Sequence, residues 1–133
     1  MDNLKVVIAC DDEQCLKKNG HFGDAVLYLN YEVTADSERF LKKMFKPDLK
    51  EKEHVKGGDP AKAAAMKEFL KGNDILVSRR FGPNFKRLLK DFVCVVVRRE
   101  TVEDAVSLLQ CNIDRLIDEM RRKDRKHIVL GNE

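Results

Sequence analysis

No part of this sequence is apolar for long. The longest uninterrupted apolar run is "FVCVVV" at 92–97, followed by "VVIAC" at 6–10 and "AVLYL" at 25–29. All fall far short of the roughly 18 residues that cross a membrane, and none has the setting of a secretory leader. The chain is therefore expected to be cytoplasmic, with no membrane association. Paired cysteines are also missing. Cys10, Cys15, Cys94 and Cys111 form no CxxC, and the CxxxxC spacing of Cys10 and Cys15 matches no common zinc pattern. In a reducing compartment these four are expected to be thiols. No GxGxxG is present, and no serine–histidine–aspartate or cysteine–histidine nucleophile pattern stands out. A net charge of +3 is too small to announce nucleic-acid binding. Internal repeats and low-complexity tracts are absent as well.

What is present is a soluble, highly charged composition, 43% hydrophobic and 37% charged over 133 residues. That length suits one domain with one core. "LKVVIAC" (4–10) reads as a strand buried on both faces, as in an α/β sheet. "AVLYLNYEV" (25–33), "DILVS" (74–78) and "FVCVVV" (92–97) read as further strands. "DPAKAAAMKEFLKG" (59–72) reads as a helix capped by Asp59, opened by Pro60 and stopped by Gly72. A short helix is expected over 82–91. Another begins at Thr101, with a possible break at Asn112. The segment 37–49 is ambiguous, because Phe40, Leu41, Met44 and Phe45 fall at helical spacing before Pro47. The expected domain is 1–124, with 125–133 a basic, frayed tail.

The order of elements predicts a mainly parallel sheet flanked by helices. Ligands of such sheets bind beyond the carboxyl ends of the strands. Three loops are therefore candidates: 11–23, 79–83 and 98–101. The first holds "GHFG", in which Gly20 and Gly23 permit a tight loop that presents His21. Imidazole is a common transition-metal ligand, although a lone histidine is ordinarily a turn residue bonded to nearby backbone. Cys10 and Cys15 could add thiolates, or serve as small apolar residues. Cys94, inside a buried run, reads as core. Asp11 and Asp12 could hold magnesium or simply cap the loop, and Asp74 belongs at the opposite sheet edge. His54, in the charged loop 50–60, could swing towards His21. Gly82-Pro83 opens a helix whose amides, with Arg79 and Arg80 beside them, could cradle an anion. The run "RRKDRK" (121–126) could touch nucleic acid or form a solvated face.

Taken in order, "VVIACDDE…GHFGDAVLYLNYE", "EHVKGG", "NDILVSRRFGPNFKRLLK" and "FVCVVVRRETVEDAVSLL" resemble the dinitrogenase iron–molybdenum cofactor biosynthesis family over about residues 4–110. The resemblance implies a ribonuclease-H-like α/β/α fold around a mixed five-stranded sheet. It also implies a strand near 38–46 and a second strand antiparallel to the rest. It implies a non-enzymatic carrier that transiently binds an iron–sulfur or iron–molybdenum-type cluster between donor and acceptor proteins. His21, Phe22, Gly23, Asp11 and Gly82 would then contact the cluster. His21 is the main metal ligand, with Cys10, Cys15 and His54 as helpers. Arg79 and Arg80 stand where many relatives carry small residues. A monomer or weak homodimer is expected. The alternative is a nucleic-acid or protein-binding module on the same scaffold. A nuclease would need an acidic constellation that the sequence does not place at strand ends.

Overall fold

The computed structural model describes residues 3–46 and 60–131. Among these residues six strands form one sheet: β1 (Leu4–Cys10), β2 (Leu27–Val33), β3 (Glu38–Phe45), β4 (Ile75–Ser78), β5 (Val93–Val97) and β6 (Ile128–Leu130). Their spatial order is β3-β2-β1-β4-β5-β6. β2 runs antiparallel to both its neighbours, and β1, β4, β5 and β6 are parallel. The helices are α1 (Pro60–Phe69), α2 (Phe85–Leu88), α3 (Val102–Cys111) and α4 (Ile113–Met120).

The continuous apolar run of β1 follows from burial on two sides. Val6, Ile8 and Cys10 face a core shared with Val106 and Leu109 of α3 and Leu116 of α4. Val7 and Ala9 face a second core with Met66 of α1 and Leu88 of α2. The result is the expected three-layer α/β/α arrangement. Gly72 ends the α1 region with a φ of +89°, a conformation that favours glycine. The hydroxyl of Thr101 accepts from the Asp104 amide at 3.1 Å and caps α3, and Asn112 separates α3 from α4.

Two expectations change and one ambiguity closes. The sheet has six strands instead of five, because Ile128 and Leu130 bury in the α3/α4 core while β6 pairs with β5. The chain over 128–130 is thus a strand of the domain, not a frayed tail. The basic residues ahead of it masked the short apolar triplet. Segment 38–45 is a strand, as the family resemblance implied, and its helix-like spacing has a local cause. Asn30 pairs with Lys42 but Tyr31 pairs with Phe40, so Leu41 is an extra residue in a bulge. The bulge breaks strict alternation. Finally, the helix expected over 82–91 shrinks to the single turn Phe85–Leu88.

Candidate functional site

The carboxyl ends of β1, β4 and β5 bring the three candidate loops together. Asp12 accepts the amides of Gln14 and Cys15, both at 2.8 Å. These bonds hold its carboxyl below the ordinary range. Asp11 accepts the Lys18 amide at 2.9 Å and lies 3.9 Å from Lys17 Nζ. Both carboxylates therefore shape the loop, and Asp11 is occupied by it. On one side the loop joins 98–101, where the Leu16 amide donates to Glu100 and the Val102 amide to Gln14. On the other side it joins 79–82, where the Phe22 amide donates to the Arg80 carbonyl at 2.8 Å.

Phe22 anchors this second junction. Its ring is buried and stacks on Phe81, with centroids 5.3 Å apart and planes 15° apart. The Tyr28 hydroxyl donates to the Phe22 carbonyl at 2.7 Å. Burying such a ring is worth about 2–3 kcal/mol, which fixes the residue before it as well. His21 precedes it, with its side chain 48% exposed. Gly20 turns the chain there with a φ of +85°.

Asp24 completes the turn. Its Oδ2 accepts the His21 amide at 2.9 Å and lies 3.6 Å from His21 Nδ1. Gly82 presses on the same ring: a Cβ at 82 would stand 2.8 Å from Nδ1. Nδ1 is thus bracketed by a carboxylate and a backbone, and Nε2 has no partner among the described residues. At 3.6 Å the carboxylate is beyond hydrogen-bond distance of Nδ1 and acts on the ring through its charge.

Positive charge gathers around this turn. Lys46, at the end of β3, donates to the Gly23 carbonyl. Lys62 of α1 reaches to 3.8 Å from Asp24 Oδ1 with its side chain only 10% exposed. Burial lowers the affinity of its amine for a proton, opposed by Asp24 and aided by Lys46. Sequence reasoning missed Lys62, since nothing in an alanine-rich helix announces a residue that folding brings to a loop forty positions earlier. Asp24 was legible only as the residue after "HFG".

The other candidates separate from His21. Cys10 turns towards the α3/α4 core, the layer opposite Phe22. Its thiol donates to the Ile8 carbonyl, and burial pushes its pKa to about 12. Cys15 pairs its backbone with Thr101 on the far side of the loop, and burial followed by the charge of Asp12 raises its thiol. Neither is suited to supply a thiolate beside His21. Cys94 is buried with a pKa near 12, as a core residue should be. Asp74 accepts the Lys5 amide at the opposite edge of the sheet. The amides of Phe85, Arg87 and Leu88 bond to the carbonyls of Gly82 and Asn84, which takes these three away from any anion at the start of α2. Gly82 instead makes room for the imidazole. His54 lies outside the described residues. Among the described residues, no three His, Cys, Asp or Glu side chains gather as a metal site.

Comparison with known proteins gives a consistent result. The family model described as "dinitrogenase iron-molybdenum cofactor" matches residues 4–112. No curated protein matches. A crystal structure of a candidate dinitrogenase from Methanocaldococcus jannaschii superposes with a TM-score of 0.58 at 16% identity. The match covers 84% of this chain and 92% of that one, and at this identity it speaks for the fold.

Proposed function

The chain belongs to the dinitrogenase iron–molybdenum cofactor family, and from that premise we propose that it is a non-enzymatic carrier of an iron–sulfur or iron–molybdenum-type cluster. The observation that carries this reading is the half-exposed His21 imidazole, with Nδ1 held between Asp24 and Gly82. The residues present suit such a cargo. One imidazole nitrogen offers a single protein ligand, and Lys17, Lys46 and Lys62 favour an anion near it. A single ligand also suits a carrier, which must release what it binds. The thiols named as helpers play no part in this reading. Asp11 is likewise a loop residue here, and Phe22 acts as the buried anchor beneath the ligand.

The nucleic-acid alternative draws on 121–126. Arg125 in that run donates to the carbonyls of Leu89, Lys90 and Met120. Its charge serves the fold, which favours the carrier. The decisive test is anaerobic reconstitution with iron and sulfide, followed by absorption spectra and metal counting. Wild type should take up cluster, and His21→Ala should lose it at unchanged circular dichroism. Equal uptake by both would overturn the reading.

A further inference from the structure

We propose that the surface made by the two segments ahead of β5 and β6 docks an acidic face of a partner protein. The surface stands apart from the carrier reading, which enters only in what docking would serve.

Arg125 builds this surface. Its guanidinium donates to the carbonyls of Leu89 and Lys90, ahead of β5, and of Met120, at the end of α4. The rings of Phe85 and His127 meet edge to face, 5.6 Å apart, and join the same two segments. Two of the carboxylates here are taken by the fold. Glu119 Oε2 accepts the Lys126 amide at 3.1 Å and lies 3.6 Å from Arg122 Nε. Asp91 pairs with Lys67 at 2.8 Å.

A set of cations is left facing water. Lys86, Lys90, Arg121, Lys123 and Lys126 are exposed, and none of them pairs with a carboxylate among the described residues. The acids without a cation partner in these segments are Asp118 and Asp124, both exposed. Five cations less two acids leave +3, which equals the net charge of the entire chain. The rest of the molecule therefore sums to zero, and its net charge resides on this one surface. A field of one sign, held on a backbone that Arg125 ties together, steers and orients a partner of the opposite sign.

The nature of the partner follows from charge and position. Asp118 and Asp124 stand among the cations and would oppose a phosphate backbone, whereas a protein face of mixed charge can answer them. β1, β4, β5 and β6 are parallel, so the segments ahead of β5 and β6 lie at the sheet edge opposite the His21 turn. A partner held here leaves His21 free to load and unload. It is an anchor for the carrier, not the recipient of its cargo.

The test titrates the full chain with a fluorescein-labelled all-glutamate peptide and follows amide chemical shifts with the unlabelled one. Saturable binding that weakens with salt is expected, with shifts at 86–90 and 121–127. Lys90→Glu combined with Lys123→Glu should weaken binding by about fivefold or more at unchanged circular dichroism. Lys42→Glu, exposed on β3 at the far side of the sheet, should bind as wild type does. A double variant that binds as tightly as wild type, or shifts confined to other segments, would overturn the proposal. So would duplex DNA bound more tightly than the peptide at equal salt, which would give the surface to nucleic acid. The two readings fail separately, because a wild type that takes up no cluster would remove the carrier and leave the peptide result standing.

Discussion

Gly82 and Asp24 hold one imidazole from two sides, and each can be removed by a single substitution. Gly82→Ala would place a Cβ 2.8 Å from Nδ1, so the ring must leave its position. A cost of about 1–3 kcal/mol is expected in urea melts, with loss of cluster retention. Asp24→Asn keeps an acceptor for the His21 amide but removes the charge beside Nδ1. Metal-binding strength should fall by about two- to fivefold at little cost in stability, as read by cobalt(II) titration. The thiols give a pH signature. Cys10 and Cys94 rise from 9.0 to about 12 in the folded protein. Above pH 9 the unfolded chain releases these protons while the folded one keeps them. Stability should be unaffected by them below pH 9 and decline through pH 12, by about 1.4 kcal/mol per pH unit for each thiol. Urea midpoints from pH 8 to 10.5 check this, and Cys94→Ala should flatten the decline. At this scale the sequence singled out His21, because "GHFG" can be read locally. The company it keeps was partly hidden: Gly82 was expected beside the same cargo but not against the ring, Lys62 arrives from a distant segment, and β1 alternation turned Cys10 away.

Elements were legible where one physical rule dominated. The doubly buried β1, β4 and β5 announced themselves as apolar runs, and Thr101 announced α3. The failures came where two rules competed. β6 lay behind a run of charge, and a bulge gave β3 the spacing of a helix, so that its residues alone left it ambiguous and the family resemblance was needed to read it as a strand. Arg125 explains part of that run. Its guanidinium ties the carbonyls after α2 to the end of α4, just before β6 begins. Its Nε is buried without a hydrogen-bond partner among the described residues, which offsets some of the gain. Arg125→Ala should still lose about 1–3 kcal/mol, and hydrogen exchange should accelerate in β6 and α4 before the central strands. Unchanged exchange in β6 would show that its pairing with β5 holds it without this tie.

On the scale of the whole molecule, sheet topology does the assembling. Parallel β1, β4 and β5 deliver three loops to one edge, and the 11–24 loop bonds to both of the others. The aromatic stack of Phe22 and Phe81 then gives the exposed His21 a rigid base. The central claim is that this imidazole is the protein ligand of the cargo. Pulsed electron paramagnetic resonance on cluster-loaded protein, labelled with nitrogen-15 histidine, tests it most directly. The account predicts a coupled histidine nitrogen in wild type and in His54→Ala and His127→Ala, and its disappearance in His21→Ala. A coupling that survives in His21→Ala, or none in loaded wild type, would contradict it.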